Sequence, residues 1–353
     1  MEISEDISFF SSLPLEDLFH IVIKNLSYPQ IVNLCLSSRN LNLKLCANPF
    51  FWESFYLQTI SSIPLPNIED YQSTYRKIFL DLKSKDLDDQ LIYAAENGYN
   101  LLVQNLFALK HADITANIDL ALRLAAANGH LDIVKYLVSK GANITSRHYG
   151  ALILAAQNGH LEVVKYLVSK GADITVGNNY ALRWAARNGH LDVIKYLVSN
   201  GADITADNND ALIVAASKGY LEVVKYLVSK GADISAQNYF ALRLAASNGH
   251  LDIVKYLVSK GANIQADNNY ALRWAAFNGH LGVVEYLVSE GANITANNNQ
   301  ALIWAIEKGH LEIVKYLVSK GADIIAQNNE ALRVATIKKR LDIVDYLNSL
   351  LNH

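Results

Sequence analysis

Between residues 181 and 210 the apolar positions fall into two blocks with different spacing. Leu182, Ala185 and Ala186 stand at i, i+3 and i+4, one apolar stripe of a short helix. Gly189 interrupts that stripe. The stretch LDVIKYLVS, Leu191 to Ser199, then places Leu191, Val193, Ile194, Leu197 and Val198 over more than half of a helical wheel, which predicts a second helix buried between neighbours. Gly201 follows where a helix C-terminal cap requires a left-handed residue, a conformation glycine adopts without a Cβ clash.

This pattern recurs. Ala-Leu pairs stand at 121, 151, 181, 211, 241, 271, 301 and 331, a period of 30 residues without a slip. A divergent copy starts at Leu91, so the reading is eight 30-residue units over 91–330 and a partial capping unit over 331–353. Isolated helices shorter than about 12–15 residues are marginal in water, so stacking must supply the core and the units should form a solenoid. Of the 18 glycines, 15 fill the two turn slots of these units, which makes them backbone punctuation and not phosphate loops. The end units depart from the rule, with His111 in a glycine slot and Lys338-Lys339-Arg340 where internal units have Asn-Gly-His. Irregular or polar ends suit the capping of an array.

The stretch ALRLAASNGHLDIVKYLVSKGANI, Ala241 to Ile264, resembles the ankyrin repeat in its Leu-x-x-Ala-Ala-x-x-Gly-His-Leu core and its Gly-Ala-(Asp/Asn) end. The usual Thr-Pro-Leu-His start is replaced, for example by Tyr180-Ala181-Leu182-Arg183. The period falls short of the family's roughly 33 residues. Alignment of the helices puts the missing residues in the connection ITADNND, Ile204 to Asp210, so a tight Asn-rich turn is expected in place of the β-hairpin finger. Such even, short-period expansions are similar to those encoded by large DNA viruses of amoebae, the mimivirus type. The resemblance implies protein binding across a concave face, without catalysis.

A helical wheel locates that face independently. Positions 180, 183, 184 and 187 lie opposite the core stripe, and they vary between units while the frame stays constant. The expected target-binding residues are Tyr180, Arg183, Arg187, Asp210, Phe240, Arg243, Tyr270, Arg273, Phe277, Gln300 and Glu307. The aromatics and arginines among them are residue types enriched at binding hot spots, although the arginines read equally well as solvated side chains. Trp184, Trp274 and Trp304 lie at the edge of the arc and read first as wedges between stacked units.

All five prolines precede residue 67, which marks a separate N-terminal part. Residues 8–57 predict three short helices, with Leu18, Ile21 and Val22 forming the stripe of the first. Leu13-Pro14, Ile23, Leu26, Ile31, Leu34, Ser38-Arg39 and Asn48-Pro49 with Trp52 resemble an F-box, with departures at Ser37 and Leu41. That resemblance implies docking on a Skp1-like adaptor of cullin-RING ubiquitin ligases through Leu13, Pro14, Ile31 and Leu34. The alternative is a plain three-helix cap. Residues 58–90 read as a Pro-containing linker followed by a spacer helix from about Ile68 to Leu82.

Composition narrows the function further. A net charge of −3, from 31 basic and 34 acidic residues, provides no basic field for nucleic acid or a membrane surface. No run of about 18 apolar residues and no signal peptide appears, and Cys35 and Cys46 are the only cysteines, so a cytoplasmic or nuclear protein is expected, not a secreted one. Both cysteines sit in apolar helical patterns and read as core residues. The histidines at 130, 160, 190, 250, 280 and 310 hold one slot per unit. Stacked helices stand about 8–10 Å apart, too far for these side chains to share a zinc ion with bonds of about 2 Å. The reading is therefore an all-α ankyrin-repeat solenoid with a shortened hairpin connection, preceded by a small F-box-like domain. It has no catalytic residue, metal, cofactor or small-molecule substrate, and it acts as a substrate receptor that carries an unknown protein target to a ubiquitin ligase. A scaffold or decoy that binds a host protein without the ligase is the alternative.

Overall fold

The computed structural model describes residues 87–108 and 117–351; the F-box-like segment, both cysteines and the spacer helix lie outside the described residues. The described chain is helical throughout, with no strand. Its elements are α1 (Leu87–Asn97), α2 (Asn100–Ala108), α3 (Ile118–Ala127), α4 (Leu131–Ser139), α5 (Ser146–Gln157), α6 (Leu161–Ser169), α7 (Val176–Arg187), α8 (Leu191–Ser199) and α9 (Ala206–Lys218). They continue as α10 (Leu221–Ser229), α11 (Ala236–Ser247), α12 (Leu251–Ser259), α13 (Ala266–Phe277), α14 (Leu281–Ser289), α15 (Ala296–Lys308), α16 (Leu311–Ser319), α17 (Ala326–Ile337) and α18 (Leu341–Leu351).

The described residues fall into two compact units. One runs to Ala155 and includes Glu162–Ala172; the other consists of Ala156–Leu161 and the chain from Asp173 onward. Within the first, α1 packs on α3 and α2 on α4. Within the second, the odd helices α7 to α17 pack in one row and the even helices α8 to α18 in another. Each helix pair places its stripe between the rows. Leu182, Ala185 and Ala186 of α7 meet Val193, Ile194 and Leu197 of α8, all essentially inaccessible. A fully buried Leu or Ile contributes roughly 1.5–3 kcal/mol, which is what nine-residue helices need from their neighbours.

The glycines do more than end helices. Both sets hold positive φ, as at Gly249 (φ 78°) between helices and Gly261 (φ 90°) after the second helix. Beside Gly261 there is open space for a Cβ, so backbone conformation alone selects glycine there. A Cβ on Gly249 would come within 2.5 Å of the His280 ring from the next pair, so glycine is required twice over.

That contact explains the histidine slot. Nε2 of His190, His250, His280 and His310 lies 2.9 to 3.1 Å from the carbonyl oxygens of Gln157, Ser217, Ser247 and Phe277 in the preceding pair. In the first unit His130 reaches Glu96 in the same way, at 3.0 Å. Each ring is a cross-tie that satisfies an orphan carbonyl at a helix end. Arg340 takes over this duty in α17–α18, donating to the Glu307 carbonyl at 3.0 and 3.3 Å, while Lys339 adopts the positive φ of the missing glycine. The last pair is less polar than a cap was expected to be, because Ile325, Ile337 and Leu341 are 60–71% exposed.

Candidate protein-binding face

The connection before each odd helix sets where its outer residues stand. After Gly201, the Asp203 carboxylate accepts hydrogen bonds from the Thr205 backbone N–H at 2.8 Å and hydroxyl at 2.7 Å, closing a local turn. Asp207, Asn208 and Asn209 then hold φ of 53° to 65° and ψ of 33° to 47°, one turn of left-handed helix before the right-handed α9 proper. The Asn209 N–H donates to the Thr205 carbonyl at 3.0 Å and closes this turn. Such turns recur at 177–179, 237–239, 267–269, 297–299 and 327–329. Left-handed backbone costs about 1–2 kcal/mol for most L-residues and least for glycine, Asn and Asp, which accounts for the Asn-rich composition.

The third residue of the turn ties one pair to the next. Asn179, Asn209, Asn269 and Asn299 are buried, and each Oδ1 accepts the backbone N–H of Asp203, Asp233, Asn293 or Asp323 at 2.8 to 3.2 Å. In the first unit Asp119 accepts the Asn143 N–H at 2.7 Å. Tyr239 occupies the slot with φ 59° and has no carboxamide to offer, so this tie is missing there.

These turns also capture most of the arginines placed on the outer face by the wheel. Arg183 pairs with Asp207 and Asp210 of the next odd helix, the latter at 2.7 Å, and its guanidinium lies 5.0 Å from the Tyr180 ring centroid. Arg243 donates to Asp267 at 2.6 Å and sits between the rings of Phe240 and Tyr270, 5.2 and 4.2 Å from their centroids. Arg273 is only 8% exposed. Its Nε and Nη2 donate to the carbonyls of Asn268 and Asp267 at 2.9 and 2.8 Å, and its Nη1 donates to Gln300. Burial lowers the Arg273 pKa, and the Asp267 charge opposes that shift. Glu307 is held by Lys338 at 2.9 Å, whose hydrogen bond keeps the carboxyl below the usual carboxylate range.

Arg183, Asp210, Arg243, Arg273, Gln300 and Glu307 therefore stand in bonds within the array, and Arg273 is turned inward. A wheel reports angle but not reach, and an arginine is long enough to lie across the left-handed turn of the adjacent pair. The spacing of 24 from Arg183 to Asp207 and from Arg243 to Asp267 was the available sign of this latch.

Tyr180 is 44% exposed and Arg187 is exposed, its guanidinium 5.4 Å from the Trp184 ring centroid. Tyr180, Arg183, Trp184, Arg187, Asp210 and Val214 line a depression of about 80 Å³. That is room for the tip of one side chain, well below the roughly 300–1,000 Å³ of small-molecule sites. Three pairs further along, Trp274, Phe277 and Trp304 form a mutual triangle with ring centroids 5.1 to 5.4 Å apart, and Tyr270 stacks on Trp274 at 5.5 Å. All four rings are half-buried. Trp274 and Trp304, from adjacent odd helices, pack against each other and against Phe277, and Trp184 is likewise half-buried. Lys308, which the wheel did not single out, lies 4.3 Å from the Phe277 ring centroid.

Among the described residues no group of three His, Cys, Asp or Glu side chains could hold a metal ion, and no helix is long and apolar enough to cross a membrane. Comparison with known families gives one finding: a model for ankyrin repeats (3 copies) matches residues 91–178, 176–238, 236–298 and 296–350, well over half of the chain. No curated protein matches it significantly.

Proposed function

Because this chain belongs to the ankyrin repeat family, its array is a protein–protein interaction module, and we propose that it is the substrate receptor of a ubiquitin ligase. The array selects the protein to be modified; residues 8–57 recruit the ligase through a Skp1-like adaptor. The observation that carries the first half is a constant helix frame bearing outer side chains that change from unit to unit, with aromatic rings and cations left accessible at Tyr180, Arg187 and Phe277. The second half is supported by the F-box-like order of Leu13-Pro14, Ile31, Leu34, Ser38-Arg39 and Asn48-Pro49. No residue of this chain performs chemistry in this reading; the catalytic centre belongs to the recruited complex, in the cytoplasm or nucleus. The even, short-period expansion, similar to those of large DNA viruses of amoebae, supports a host protein as the target.

Capture of Skp1 and cullin from cell extract tests the recruitment. Wild type should retain both, and Leu13→Ala/Pro14→Ala should lose them while keeping the helical circular-dichroism signal of the array. A wild-type chain that captures neither would leave only the interaction module and refute the ligase reading.

A further inference from the structure

The charges on the outer face of the second unit are unevenly compensated. Asp207 and Asp210 are taken by Arg183, Asp267 by Arg243, and Glu307 by Lys338. Arg187, Lys218 and Lys308 have no carboxylate ion-pair partner among the described residues and are exposed, and Arg187 and Lys308 each rest on an aromatic ring. The face is thus locally positive, although the whole chain carries −3. Arg187 and Lys308 coincide with its two aromatic sites, the Tyr180–Trp184 depression and the Trp274–Phe277–Trp304 triangle.

We infer that this face binds an extended acidic segment of a partner protein through two anchor points, each taking a large apolar side chain with a carboxylate beside it. The first anchor fills the depression beside Trp184 and its neighbouring carboxylate meets Arg187. The second lies on the half-buried cluster of Trp274, Phe277 and Trp304, with its carboxylate at Lys308. Helices stacked about 8–10 Å apart put Trp184 and Trp274, three pairs apart, about 24–30 Å from each other. At about 3.3 Å per residue an extended chain spans that distance in roughly eight residues. Between the anchors every carboxylate named above is already paired, so an acidic chain crosses without like-charge repulsion. A nucleic acid would need a continuous run of uncompensated cations to follow its phosphates, and this face leaves a gap of three helix pairs between Lys218 of α9 and Lys308 of α15.

The inference rests on the array being the target-binding part, as proposed above, and not on the ligase. The test uses the full chain and a fluorescein-labelled random copolymer of glutamate and tyrosine, with binding read by fluorescence anisotropy. Saturable binding is expected, about tenfold weaker for polyglutamate and for a lysine–tyrosine copolymer. Arg187→Glu/Lys308→Glu should weaken glutamate–tyrosine binding about tenfold or more, and Arg187→Gln/Lys308→Gln by a smaller factor. The same reversal on the opposite side, Lys195→Glu/Lys255→Glu, should leave it within about twofold, as expected for charges outside the contact. Absence of saturable binding, equal losses from the two reversals, or tighter binding of a labelled oligo-dT would each overturn the inference. The Arg187/Lys308 variants should still capture Skp1, so failure here leaves the ligase reading standing, and loss of Skp1 capture by wild type leaves this one standing.

Discussion

Asn209 offers the sharpest test of how the array holds together. It is 6% exposed, it sits at φ 65°, and its Oδ1 accepts the Asp233 N–H of the next pair at 2.8 Å. Two energies can be separated by choice of substitution. Glycine removes the acceptor but tolerates the left-handed backbone; losing the bond and adding glycine's unfolded-state entropy costs about 1–2 kcal/mol. Alanine removes the acceptor and strains the backbone by about 1–2 kcal/mol more than glycine, giving a total of roughly 2–3 kcal/mol. Aspartate keeps an acceptor in the same place, as Asp119 does in the first unit, and should cost less than glycine despite the desolvation of its charge. The expected order of stability in urea, followed by tryptophan fluorescence, is Asn209 and Asn209→Asp above Asn209→Gly above Asn209→Ala. Stacked repeats need not unfold in one step, so hydrogen exchange of the Asp233 amide provides the local reading, with protection kept in Asn209→Asp and lost in the other two. Alanine as stable as glycine would refute the left-handed turn. Aspartate as damaging as glycine would refute the tie.

The chain carries the reverse experiment at Tyr239, where a bulky residue holds φ 59° without a carboxamide; Tyr239→Asn should restore the tie and raise stability by about 1–2 kcal/mol in the same urea assay. Gly249→Ala should cost at least 2–3 kcal/mol, because the Cβ adds a clash with the His280 ring to the backbone strain, whereas Gly261→Ala should cost only the strain of about 1–2 kcal/mol. Burial holds the His280 imidazole below its ordinary pKa, with the Ser247 carbonyl opposing and His250 and His310 adding to the depression. The unfolded chain therefore takes up the proton first on acidification, so stability is full above the unfolded pKa of about 6.5 and falls below it until the folded pKa is passed. Melting temperature should drop over that range, and His280→Gln should flatten the drop; an unchanged slope would refute a depressed pKa for this half-buried ring.

Much of the frame is legible along the chain. The stretch LDVIKYLVS coincides with α8, Leu191–Ser199, because a nine-residue helix between two glycines has its ends fixed by local backbone chemistry. The shortened Asn-rich connection was likewise readable from ITADNND, since few residues other than Gly, Asn and Asp tolerate the left-handed region. The outer face was less so. The wheel puts Tyr180, Arg187 and Phe277 at outer angles, but angle does not distinguish the exposed Arg187 from the buried Arg273. That difference depends on what lies within reach: Gln300 of the next pair and the carbonyls of Asp267 and Asn268 in its own turn receive Arg273, while among the described residues Arg187 meets the Trp184 ring.

The sequence by itself determined the helices, their period and the presence of a tight Asn-rich turn before each odd helix, because each follows from neighbours within a few residues. Only the tertiary structure decided that the histidine slot ties each pair to the carbonyl of the one before, that Asn209 and its equivalents join one turn to the next, and that Lys308 stands with Phe277. Those relations join residues 24 to 34 positions apart, and the stacking of one pair on another sets their distances.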